Sequence, residues 1–272
     1  MAVLSVDLAY RSWCDLGVVL LEQKPSSGPT PQPFPQIACE IIHWPETYAP
    51  PVVELALRLN QLCLERGAGV LMLDGPQAWQ SDDAGKAASG MRQRESNPTG
   101  KTGPNGTAGP GTYERFAGYC LALYDALGRL GWQRLAQRDQ ATPLAKKILA
   151  ESHPHAAWKS LGITPLPERS KCRVSHLAEA YAALTAILPI SANCAPNHDQ
   201  LQAIVGGLPG LSIERRNAAG ARLANAAPRQ EDWQWHEGFG AIPVPPIARH
   251  KTGQKATPDS RQASPANGQS PV

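Results

Sequence analysis

Four acidic side chains sit where apolar segments start or stop, a placement that suits binding of a divalent cation. Asp7 interrupts Val3-Leu4-Ser5-Val6 and Leu8-Ala9. A carboxylate inside a central strand costs on the order of several kcal/mol in desolvation unless something compensates it. Asp74 closes the run Val70-Leu71-Met72-Leu73, and Glu151 follows Ile148-Leu149-Ala150, so three strand-like segments each deliver one acid. Asp199 lies in the first turn of a helical segment that can aim it at the same place. If the four converge on one crevice, a shared cation offsets their mutual repulsion, and carboxylate oxygens suit Mg2+ or Mn2+. Each acid also has a purely structural reading. Strand-end aspartates cap turns and helices, Asn197 and Gln200 can form a capping box, and an early helical aspartate favours the positive end of the dipole.

The elements that must position these acids are legible from periodicity. Ala2 to Ala9 and Gly17 to Glu22 read as a hairpin around the polar stretch Arg11 to Asp15. A Pro-rich connection, Pro25 to Pro35, precedes a third strand over Gln36 to His43. Val52, Leu55, Leu59 and Leu62 fall at helical spacing over Pro51 to Arg66, and Gly67 stops them. Gly69 to Asp74 is a short continuous apolar run ended by Gly75-Pro76, as expected of a buried central strand. Further helices are expected over Tyr113 to Leu130, Val174 to Leu188 and Asn197 to Leu208, with a strand over Lys146 to Glu151. The expected architecture is α/β: a mixed five-stranded sheet flanked by helices, in the order βββαβαβα. An irregular insertion (residues 75–112) is expected after the fourth strand, and the chain beyond residue 246 is too polar to fold, giving one domain over 1–246 and a disordered tail over 247–272.

Four short segments carry a family resemblance: Val6-Asp7-Leu8-Ala9, Leu73-Asp74-Gly75-Pro76, Glu151-Ser152-His153-Pro154 and the helix start at His198-Asp199. Together they resemble the domain-of-unknown-function family 429, predicted nucleases of ribonuclease H-like fold. The resemblance spans about residues 2 to 246, and Glu237-Gly238 matches the family's last element. Ser5 departs from it, standing where the family has glycine, as do Gln200 and Gln202. The resemblance implies that Asp7, Asp74 and Asp199, with Glu151, are metal-binding acids, and that the substrate is a nucleic acid, DNA or RNA. In such enzymes one ion lowers the pKa of an attacking water and a second stabilises the leaving oxygen.

Other features limit the alternatives. Of the 272 residues 18% are charged and the net charge is +3, a globular composition without the strong basic excess that would itself argue for nucleic-acid binding. Lys86, Arg92, Arg94 and Lys101 in the insertion could contact phosphate oxygens, although a solvated basic loop is the better reading of any one of them, and none is assigned a catalytic role. The six cysteines lack the close spacing of zinc or redox motifs, and no apolar run is long enough to span a bilayer, so a cytoplasmic protein with reduced thiols is expected. Gly100-Lys101-Thr102 fails as a phosphate-binding loop because Glu95 occupies the position of the required glycine. His153 and His198 adjoin candidate acids and are read as groups orienting them. The tryptophan pairs Trp132 with Trp158 and Trp233 with Trp235 are read as packing. Two alternative functions stay open. One is a nucleotide-binding phosphotransferase of related fold; the other is a non-catalytic scaffold, which would follow if Asp7 and Asp74 faced opposite sides of the sheet.

Overall fold

A computed structural model of the chain describes residues 2–24, 36–79, 112–135, 147–215, 221–224, 229–231, 234–236 and 240–244. In chain order the elements are β1 (Ala2–Asp7), β2 (Gly17–Gln23), β3 (Ile37–Ile42), α1 (Val52–Arg66), β4 (Ala68–Asp74), α2 (Thr112–Arg129), β5 (Gln133–Arg134) and β6 (Ile148–Ser152). There follow α3 (Pro154–Ser160), α4 (Val174–Ile187), β7 (Ile190–Ala192), α5 (His198–Glu214), β8 (Ala221–Ala224), β9 (Arg229–Glu231), β10 (Gln234–His236) and β11 (Gly240–Pro243). Single 3-10 turns lie at Trp13–Asp15 and Arg169–Lys171.

At the centre of the sheet the order is β3-β2-β1-β4-β6. Strand β2 is antiparallel to both β1 and β3, whereas β1, β4 and β6 run parallel. This is the mixed α/β sheet flanked by helices that the sequence leads one to expect. Among the described residues it extends beyond five strands to nine: β7 pairs with β3, β11 and β8 continue past β6, and β5 pairs with β6. These added strands are two to four residues long, too short to show a period. Helix α3 was not expected either; at seven residues, opened by Pro154, it gives barely two turns of pattern. Most of the expected insertion, the connection Pro25 to Pro35, Glu237-Gly238 and the expected tail lie outside the described residues.

Two apolar clusters lie on opposite faces of the sheet. One joins Val3, Val19, Val70 and Met72 to the buried side of α5, to Trp158 of α3 and to Leu184 of α4. The other joins Leu4, Val6, Leu71 and Leu73 to Leu55 and Leu59 of α1 and to Leu123 and Leu127 of α2. Trp158 and Trp132 are buried in different clusters and are packing residues, as expected. Trp233 lies outside the described residues.

Helix α5 sits unusually close to the sheet because glycines face it there. A methyl group on Gly207 would lie 2.7 Å from the Ser5 Cβ, and one on Gly210 would lie 2.6 Å from Val3 Cγ1. Side chains at those positions would push the helix outward. Ser5, which departs from the family pattern, therefore fits because Gly207 leaves it room; its buried hydroxyl has no hydrogen-bond partner. The helix also runs through Pro209 to Glu214, past the expected end at Leu208. Proline there removes one backbone donor, but burial of nearly the whole helix outweighs that loss. Among the described residues no helix is long and apolar enough to cross a membrane.

Candidate metal centre

The parity of the strands decides which acids can meet. Side chains alternate between faces along a strand, and register partners on adjacent strands share a face. Ser5 and Met72 meet the glycines of α5, so Asp7 and Asp74, each two residues further on, point to the α5 face as well. They are also direct register partners across the parallel pair β1–β4. Such neighbours lie about 4.8 Å apart. The two strand-end aspartates thus stand side by side, which removes the ground on which a scaffold reading was kept.

Asp199 reaches the same place from α5. The helix begins with a capping box: Asn197 Oδ1 accepts from the Gln200 amide at 2.9 Å, and Gln200 Oε1 accepts from the Asn197 amide at 2.8 Å. With the cap supplied by its neighbours, the Asp199 carboxylate is left for other contacts. The close approach depends on Gly17, the register partner of Asp7 on β2. Any Cβ at Gly17 would run into the backbone carbonyl of Asp199.

His198 completes the group. Ligating atoms of Asp7, His198 and Asp199 all lie within 4.8 Å of one another, the sole such cluster among the described residues. Donor atoms of one divalent cation lie within roughly 4 to 5 Å of one another, so the three side chains are close enough to serve one ion. The His198 ring is held at both nitrogens: Nε2 is 3.0 Å from the Pro167 carbonyl oxygen and Nδ1 is 2.8 Å from Asp199 Oδ1. A carbonyl only accepts, so Nε2 donates to Pro167, and Nδ1, which faces Asp199, can approach a carboxylate oxygen this closely only with a proton or a cation between them.

Arg169 lies at the rim. Its Nη1 is 2.9 Å from Asp199 Oδ2 and its Nη2 donates to Asp15 Oδ1 at 2.7 Å. Partial burial works against the guanidinium charge, but the Asp15 hydrogen bond and the fields of Asp199 and Asp15 outweigh it and raise its pKa. The thiol of nearby Cys172 is raised, first by burial and then by the Asp199 charge.

Glu151 does not join this group. Ser152 meets Gly206 of α5, so Glu151 points to the opposite face of the sheet. It is fully buried there; Oε2 accepts from the Gln77 amide at 3.0 Å, and Oε1 is 3.5 Å from His153 Nε2. It pins the chain just beyond Asp74 rather than facing Asp7. Reading from sequence also missed Arg169, Asp15 and Gly17, and gave His198 an orienting role, whereas the structure places it within the group of candidate donors. His198 carried a signal, its adjacency to Asp199; the other three carried none, lying in turns or at a strand start. Lys86, Arg92, Arg94 and Lys101 lie outside the described residues. All six cysteines are free thiols.

No protein-family model matches the chain, and no curated protein matches it. Among solved structures it is similar to the RuvC structure of Thermus thermophilus, at 10% identity and a TM-score of 0.40, covering 80% of this chain and 98% of that one. It is similar to the same organism's RuvC in complex with a Holliday junction substrate at 10% identity and a TM-score of 0.39, with the same coverage. The fold described above rests on strand order and pairing.

Proposed function

We propose that the protein is a metal-dependent nuclease acting on phosphodiester bonds of DNA or RNA, and that it belongs with the family its sequence motifs resemble. The observation that carries this reading is the meeting of Asp7, His198 and Asp199 on one sheet face, with Asp74 as the register partner of Asp7. Asp7, Asp199 and His198 would hold the ion, and Asp74 stands beside them to complete its coordination or to hold a second. A bound divalent ion supplies Lewis-acid polarisation of a phosphoryl oxygen and a water of lowered pKa. The chain's own residues do the rest. Asp7 and Asp74 project from rigid strands, the capping box fixes the first turn of α5, and the Pro167 carbonyl sets the His198 tautomer. An imidazole among carboxylates favours Mn2+ over Mg2+, because nitrogen donors suit transition metals.

The test is a cleavage screen of labelled single-stranded, duplex, hybrid and branched nucleic acids with Mn2+, Mg2+ or chelator. Cleavage that needs metal, is faster with Mn2+ and is abolished in Asp7→Asn is the expected result. Metal-independent cleavage, or full activity in Asp7→Asn, would remove the proposal.

A further inference from the structure

The segment joining α3 to α4 grips both donors that α5 presents. Ile163 and Leu166 of this segment are buried in the α5-side core, and Pro165 and Pro167 restrict its backbone. From this anchored strap the Pro167 carbonyl reaches His198 Nε2 and, two residues on, the Arg169 guanidinium reaches Asp199 Oδ2. The two contacts take one atom of each side chain, leaving Nδ1 of His198 and Oδ1 of Asp199 together, 2.8 Å apart, in the group that also includes Asp7.

A cation so close to a metal ligand can either compete with the metal or orient the ligand, and the surroundings of Arg169 decide between the two. Its second nitrogen is bound to Asp15, on the 3-10 turn between β1 and β2. The Asp15–Arg169 pair is neutral as a whole and repels a nearby ion much less than a lone guanidinium would. The guanidinium is also planar and forked, so one rigid group bridges two carboxylates and fixes the angle between them.

We infer that Pro167 to Arg169, tied down by Asp15, is a positioning strap that sets the metal affinity of the site, with Arg169 as its principal positioning residue. This rests on the metal-site reading above and deepens it. Groups that orient metal ligands typically contribute about 10- to 100-fold in metal affinity.

The experiment is titration of the full-length protein with Mn2+, free ion being followed by electron paramagnetic resonance, alongside thermal unfolding without metal. Arg169→Ala should bind Mn2+ about 10-fold more weakly than the wild type at little changed Tm. Arg169→Lys, which keeps the charge but not the fork, should fall between the two, and Asp15→Asn should weaken binding in the same direction. Arg169→Ala binding Mn2+ as tightly as wild type, or more tightly, overturns the strap and makes Arg169 a bystander or a competitor. If Arg169→Ala does not fold, the comparison of Arg169→Lys with wild type decides alone, equal affinities overturning the proposal. Asp7→Asn separates the two levels of inference: wild type binding no Mn2+, or Asp7→Asn binding it equally well, brings down the metal site itself and the strap with it.

Discussion

The two faces of the sheet each carry acidic side chains near the ends of the parallel strands, with opposite consequences. On the α5 face Asp7 and Asp74 are register partners, and Asp199 and His198 meet Asp7 from the helix. On the other face Glu151 pairs in register with Leu73, one residue out of step with Asp74, and is held by a backbone amide and a histidine. One residue of register separates a candidate ligand from a structural anchor. An acid at the end of an apolar run thus marks where a strand stops, whereas the parity of that position decides what the acid does.

The largest expected effect is at Gly17, where the α5 face has no spare room. Gly17→Val should cost about 1–3 kcal/mol in urea unfolding and also eliminate Mn2+ binding, since it drives the Asp199 backbone away from Asp7. Wild-type Mn2+ affinity in this variant would show that the helix approach does not set the site.

The acids themselves should divide by face. Asp7→Asn is expected to eliminate Mn2+ binding while leaving stability in chelator unchanged or raised, because it relieves repulsion among neighbouring carboxylates. Glu151→Ala should do the reverse, keeping Mn2+ binding but losing about 1–3 kcal/mol as the Gln77 amide loses its acceptor. Measuring both variants by metal titration and denaturant unfolding breaks the comparison if Glu151→Ala is the one that loses the ion.

The smallest effect concerns Ser5, whose hydroxyl is buried on the α5 face without a partner. Ser5→Ala keeps the shape and removes the unpaired group, and should raise the unfolding free energy by up to about 1 kcal/mol. A loss of stability would mean that the hydroxyl is satisfied in solution.

What could be read from sequence follows from the range of each signal. Asp7 and Asp74 were legible because each ends a continuous apolar run, and the long helices because their apolar faces recur over several turns. The face of Glu151 was not, since register between strands is a long-range property that no single strand states. Arg169 and Asp15 sit on 3-10 turns without periodicity, more than 150 residues apart, and meet only in the fold. His198 was noticed for its neighbour, but the orientation of its ring depends on Pro167, a partner 31 residues away.

The start of α5 has a consequence for how the molecule is made. Asp7 and Asp74 leave the ribosome early, while Asp199 and His198 arrive only after most of the chain has been synthesised, and the helix that carries them spans β1, β2 and β4 at once. A nascent chain that ends before α5 holds only Asp7 and Asp74 of the candidate donors, so the group cannot assemble until that helix has docked. On the metal-site proposal, binding of an ion would report that α5 has seated.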